Sequence, residues 1–311
     1  MFRPAPASVA SLLRLVLSIL FLVVSGPRSA PATSPEGIRY RIAVIDVFGD
    51  PAGADDASQS RLVAAGATDL DGDGVRENIF HGDLVRLYVG APGTETVPFG
   101  VSDGPDAKRD ILTRLGEIRA RRRDGERLDA VVFCWESSTL ISAIADTLDP
   151  ADRELYQAIV QGWGRTDTGW RLTAAIIGEL EALAADGVIV VTIAGNSGPR
   201  WVNTYTFARG VIVVGAAEPD ADGEWATRNP LIDTWAQSRY AVRLVELPDR
   251  PGYGYDINED GTVDIDLRRG SSWFRRFGSP RDTRRVLQGT SFAAPTALRG
   301  LLARGLAADA D

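Results

Sequence analysis

Gly289-Thr290-Ser291-Phe292-Ala293-Ala294-Pro295 is a turn of small residues that hands a serine to an apolar run. From Ser291 onward, Ala293, Ala294, Ala297, Leu298, Leu301, Leu302 and Leu306 recur at helical spacing, which puts Ser291 at or beside a helix N-terminus. Unpaired N–H groups and the positive end of the helix dipole converge there, and they favour negative charge developing on a nearby oxygen. The plain alternative is that Thr290 or Ser291 only caps the helix. The rest of the chain decides between the two, because a serine hydroxyl is a weak nucleophile until a base takes its proton and a carboxylate orients that base.

The chain holds a single histidine, His81, in Phe80-His81-Gly82-Asp83-Leu84-Val85. A lone histidine is ordinarily a structural residue. Upstream, Ile42-Ala43-Val44-Ile45 reads as a buried strand and ends in Asp46, where an orienting carboxylate would stand at the C-terminal end of a parallel strand. Residues 188–193 form a second uninterrupted apolar strand, followed by Gly195-Asn196-Ser197-Gly198-Pro199. Taken alone that pentapeptide is a turn, but a neutral amide after a strand can also donate a hydrogen bond to an oxyanion.

Four blocks together resemble the subtilase family of serine peptidases: Val44-Ile45-Asp46, His81-Gly82 with Val85, Ala194-Gly195-Asn196-Ser197-Gly198-Pro199, and Gly289-Thr290-Ser291 with Ala293 and Pro295. They fall between residues 39 and 305, in the chain order Asp, His, Ser. The resemblance implies an α/β, subtilisin-like three-layer fold with a central, mostly parallel sheet flanked by helices. It also implies that Ser291 attacks, His81 serves as base, Asp46 holds the imidazole, and Asn196 with the Ser291 N–H receives the oxyanion. The segment Trp135-Glu136-Ser137, with Gly195, falls where such enzymes run main chain alongside a peptide substrate, and the bulk of Trp135 and Glu136 points to a narrowed or blocked pocket.

Two departures stand against activity. Val47 and Phe48 follow Asp46 where the family usually has a small hydroxyl residue and then glycine, so Asp46 is expected to be less well oriented. Between Thr33 and the first strand there is no room for a folding-assisting propeptide, which leaves unaided folding, a separate folding helper, or activity given up. Phe292 replaces the methionine common after the nucleophile and removes an oxidisable thioether.

With 311 residues, 44% of them hydrophobic, the chain can bury a large core as one domain. Its 34 basic against 42 acidic residues, net −8, argue against nucleic acid as partner. Arg3 and Arg14, the apolar run of residues 15–24 and Ala30-Pro31-Ala32 read as an export signal over residues 1–32, with the mature domain at 33–311. The run is about half of the roughly 20 residues a membrane span needs, although an uncleaved anchor is the competing reading. The expected location is periplasmic or extracellular, without stable membrane association after cleavage. Cys134 is the only cysteine, so no intrachain disulfide can form.

Stability is then expected from the core and from calcium. Asp69, Asp71 and Asp73 have the alternate spacing of a calcium loop, as do Asp256, Asn258, Asp260, the Thr262 carbonyl and Asp264. Phe80 and Leu267 hold the twelfth positions, so neither loop has the bidentate glutamate of an EF-hand, and a turn-rich acidic loop is the alternative for both. The second lies in the 218–288 region, which reads as inserted acidic loops.

Helices are predicted over residues 57–65, 106–123, 151–161 and 168–186, and further strands over 128–134 and 211–214. The stretch 84–89 fits either a helix or a strand. The sequence supports an exported serine endopeptidase acting through an acyl-enzyme. A calcium-stabilised binding module of the same fold and an esterase or transpeptidase with the same triad are the rivals.

Overall fold

The four residues Ile42 to Ile45 are fully buried, and they divide between two cores. Ala43 and Ile45 face one core while Ile42 and Val44 face the other, which is why the strand reads as a continuous apolar run rather than an alternating one. In this computed structural model, which describes residues 39–48, 79–102, 104–218, 225–249, 253–266 and 285–308, that strand is β1 (Tyr40–Asp46). It lies inside a six-stranded sheet with β2 (Thr94–Gly100), β3 (Ala130–Phe133), β5 (Ile189–Ile193), β7 (Ile212–Ala216) and β8 (Thr234–Ala236), in the order β2-β1-β3-β5-β7-β8. Every pairing in it is parallel.

Helices cover both faces. On one side α2 (Ala107–Arg123), α3 (Arg153–Trp163) and α4 (Thr168–Ala185) contribute Ile111, Leu115, Tyr156, Val160, Ile176 and Leu180. On the other, α1 (His81–Val89) and α5 (Thr290–Ala308) contribute Val85, Val89, Ala293, Leu298 and Leu302. The expected three-layer α/β architecture is therefore present. The stretch that fits either period is helical, with Leu84, Val85, Tyr88 and Val89 buried at i, i+1, i+4 and i+5. The remaining predicted strands and helices occur within two or three residues of their expected ends, and the expected 57–65 helix lies outside the described residues.

β1 sits where the chain order turns back on itself: β2 lies on one side of it and β3 on the other. In parallel sheets the crevice beyond the strand C-termini at such a point is where ligands bind. Asp46 ends β1, and Asn196 follows the end of β5.

The 218–288 region holds more order than loops. It supplies β8 to the main sheet, and β9 (Arg239–Glu246), β10 (Tyr253–Asp256), β11 (Ile265–Asp266) and β12 (Arg285–Gln288) form an antiparallel sheet ordered β11-β10-β9-β12. A short pair, β4 (Ser138–Leu140) with β6 (Trp201–Asn203), completes the strands of the described residues. A third core of Leu84, Tyr88, Tyr240, Val242, Tyr255, Ile257, Leu287 and Phe292 joins the antiparallel sheet to α1 and α5. Among the described residues no helix is long and apolar enough to cross a membrane. The expected export signal lies outside them.

Candidate active site

Asp46 is 3% exposed, so its charge needs partners. Its Oδ1 and Oδ2 each lie 2.9 Å from His81 Nδ1, and Oδ1 also accepts the Val47 N–H at 2.7 Å. The orientation expected to be lost with the small hydroxyl residue is thus supplied by backbone. Packing helps as well: the Gly82 N–H donates to the Val47 carbonyl at 2.9 Å. A Cβ on Gly82 would come within 2.6 Å of the Phe48 ring, so only glycine lets the start of α1 close on the end of β1. Asp83 reaches back to accept the Phe80 N–H at 3.1 Å, as an N3 acid does in a capping box.

His81 is the first residue of α1, and its side chain is 36% exposed while Asp46 beneath it is nearly sealed. Burial opposes protonation of the ring. The charge and hydrogen bond of Asp46 overcome it, and the imidazole is held above its ordinary value. Because Nδ1 is committed to the carboxylate, the free ring nitrogen is Nε2, which is the arrangement a general base needs.

Ser291 is 6% exposed in the first turn of α5, where its N–H has no intrahelical acceptor. Its neighbours in sequence tie it to the rest of the site. Thr290 donates both its N–H and its hydroxyl to Asn196 Oδ1, each at 2.9 Å. With the amide oxygen so occupied, the Asn196 Nδ2 group is turned to donate elsewhere. On the other side, the Phe292 ring lies 5.9 Å from the His81 ring, centroid to centroid. Beneath, the Cys134 thiol donates to the Ser291 carbonyl at 3.3 Å, and burial followed by the Asp46 charge keeps that thiol protonated. Asp46, His81, Ser291 and Asn196 are therefore brought to one place.

The residues expected along a substrate are placed differently from one another. Glu136 accepts the Asn196 N–H at 2.8 Å and the Ser197 hydroxyl at 2.6 Å, and the Ser138 hydroxyl as well. Gly195 has φ 120° and is buried beside that carboxylate; a Cβ there would meet Glu136 Oε1 at 2.9 Å and Thr227 Oγ1 at 3.0 Å. Thr227 donates its N–H to the Gly195 carbonyl at 3.0 Å. Trp135 donates its indole N–H to the Ile45 carbonyl at 2.8 Å. Ser137 is 7% exposed and points inward, where Lys108 Nζ donates to its Oγ at 3.1 Å and to Thr173 Oγ1 at 2.8 Å. Lys108, the only lysine, has its ammonium pushed down by burial. An open cleft of about 340 Å³ continues from this segment, lined by Thr139, Trp163, Thr166, Asp167 and Trp170.

Sequence reading missed the parts played by Thr290, Thr227 and the Glu136 carboxylate in fixing the 195–197 turn. Only Thr290, adjacent to the serine, carried a usable signal. Among the described residues no three His, Cys, Asp or Glu side chains are grouped to hold a metal. Asp69, Asp71 and Asp73 lie outside those residues; Asp256, Asn258, Asp260, Thr262 and Asp264 lie within them, in the turn between β10 and β11.

No family model matches the chain, and no curated protein does. Among solved structures the chain is similar to a lanthipeptide protease, at 14% identity and a TM-score of 0.44, over 84% of this chain and 71% of that one. It is also similar to the MycP3 protease from the type VII (ESX-3) secretion system, at 16% identity and a TM-score of 0.43, over 85% of this chain and 70% of that one. A third similarity is to the PatG macrocyclase in complex with peptide, at 13% identity and a TM-score of 0.42, over 83% of this chain and 73% of that one.

Proposed function

We propose that the protein is an exported, subtilisin-like serine endopeptidase that cleaves peptide bonds through an acyl-enzyme. The observation that carries this reading is the pair of contacts flanking Ser291: the amide of Asn196 on Thr290 and the ring of His81 on Phe292. A serine with an amide donor on one side and an aspartate-bound imidazole on the other is equipped for acyl transfer rather than for capping alone.

The chemistry follows from those positions. Ser291 Oγ attacks the carbonyl carbon while its proton passes to His81 Nε2, and Asp46 holds the tautomer and offsets the charge that the imidazole gains. The oxygen that becomes negative is met by the Asn196 Nδ2 group and the Ser291 N–H at the start of α5, donors that are fixed before the reaction begins. His81 then returns the proton to the leaving amine. Water repeats the sequence on the acyl-enzyme. A peptide chain would lie along the 135–140 segment toward the cleft at Trp163 and Trp170. Periplasmic or extracellular residence accords with the N-terminal apolar run.

Labelling of the purified protein with a fluorophosphonate, with the modified residue located by mass spectrometry, tests this reading. Stoichiometric modification at Ser291 that vanishes in His81→Ala is expected. A folded protein left unlabelled would make it a binding module of the same fold.

A further inference from the structure

Lys108 stands where a lysine is costly. It is the second residue of α2, so its charge meets the positive end of the helix dipole. Its side chain is half-buried, which opposes the charge further. Among the described residues its hydrogen bonds run to two hydroxyls, and no carboxylate is paired with it. It is also the only lysine in a chain otherwise supplied with arginine. An ammonium is a compact group with three rotatable donors, where a guanidinium is a planar fork, so the exception at this position calls for a geometric reason.

The surroundings supply one. Lys108 Nζ donates to Ser137 Oγ at 3.1 Å and to Thr173 Oγ1 at 2.8 Å, and the two hydroxyl oxygens lie 3.2 Å apart. Thr173, on α4, gives its own proton to the Gly169 carbonyl at 3.0 Å, so its oxygen is left to accept. The same ammonium lies 5.4 Å from the centre of the Trp170 ring, a wall of the 340 Å³ cleft. One side chain thereby joins α2, α4 and the 135–140 segment. The backbone of Ser137 is engaged separately. Its N–H donates to Asn203 Oδ1 at 3.0 Å, and its carbonyl accepts the Thr204 N–H at 3.0 Å and the Thr204 hydroxyl at 2.8 Å. Those bonds hold the segment against the 203–204 turn, while the Ser137 side chain ties it to the helices.

We propose that Lys108 is a positioning residue for the substrate, fixing the 135–140 segment relative to the Trp170 wall of the cleft. This rests on the endopeptidase reading, in which a peptide lies along those two surfaces. Lys108 acts through Ser137 and Trp170. When its donors are removed, the segment loses its shared tie to α2 and α4 and can shift against the cleft. The loss should fall on peptide binding and not on the chemistry at Ser291.

Binding of fluorescein-labelled casein, followed by anisotropy on the full chain carrying Ser291→Ala so that the probe is not cut, tests the proposal. Adding Lys108→Met, which keeps an unbranched side chain and removes the donors, should weaken binding about tenfold. Ser137→Ala should weaken it to a similar degree, and the two together no further, as expected of groups that act as one unit. With Ser291 in place, the effect of Lys108→Met on casein hydrolysis should appear in KM rather than in kcat. Fluorophosphonate labelling of the unaltered protein tests the endopeptidase reading separately, because casein binding by the Ser291→Ala chain needs no turnover. Equal casein affinity with and without Lys108→Met would overturn the positioning role. So would additive losses in the combined variant, a fall confined to kcat, or no casein binding by the Ser291→Ala chain.

Discussion

The two flanks of Ser291 are built on opposite principles. On one, Asp46 and His81 form a titratable pair, with a carboxylate sealed at a strand end and an imidazole that charge and burial pull in opposite directions. On the other, Asn196 is neutral and exposed, and it is aimed entirely by hydrogen bonds: Thr290 on its amide oxygen and Glu136 on its backbone N–H. In the proposed reaction the first flank would move a proton and change charge. The second only has to be in place. The first is therefore expected to show in pH dependence and the second in rate at constant pH profile.

The largest effect should come from removing the charge on the first flank. Asp46→Asn keeps the shape but lets the imidazole adopt the wrong tautomer, and kcat should fall about 10⁴-fold. The same variant moves the pH profile in a defined direction. His81 is held above 6.5 in the folded protein, so the acid limb of kcat/KM should have its midpoint above that value, with activity rising as pH rises through it. Without Asp46 only burial remains, and the midpoint of the residual activity should drop. The stability that the pair contributes has the opposite pH sense. It is fully present below the unfolded histidine value and is lost as pH rises through the folded one. An Asp46→Asn profile superimposable on that of the unaltered protein would break the comparison.

A smaller loss belongs to the second flank. Asn196→Ala should lower kcat about 10²- to 10³-fold with little change in KM, and leave the acid limb where it was. Smaller again is Glu136→Gln, which keeps the acceptor oxygen but weakens the charge-assisted bonds to the 195–197 turn. A drop of roughly tenfold in kcat is expected for it, again with no shift of the pH midpoint. A shift in that midpoint in Glu136→Gln would mean that the two flanks are coupled.

Much of the fold was legible because burial on both faces leaves strong marks in sequence. Ile42 to Ile45 and residues 188–193 are continuous apolar runs since helices cover both sides of their strands. The four proposed site residues stand in motifs that resemble those of subtilases; Asp46, His81 and Ser291 lie at or next to element ends, and Asn196 lies in the turn after β5. What escaped notice lacked such marks. β2 is an edge strand whose first four residues are only half-buried and which includes Pro98, so it offers neither an apolar run nor a clean alternation. β8 is three residues long with Trp235 exposed, and β9 and β10 owe their packing to tyrosines shared with α1 and α5 rather than to their own periodicity. Glu136 drew attention only through its size; that its carboxylate anchors the Asn196 turn depends on a contact 60 residues away in sequence.

The same edge strand bears on how the molecule behaves in company. A parallel sheet ending in an open strand presents unpaired N–H and C=O groups to any extended chain. β2 forms that end of the sheet, and in its middle stands Pro98, opposite Val44 of β1. A residue with no N–H interrupts the row that an incoming strand would need. That end of the sheet is thereby a poor template for a further strand. Resistance to aggregation along that edge would then rest on one imino acid placed well away from the proposed catalytic residues.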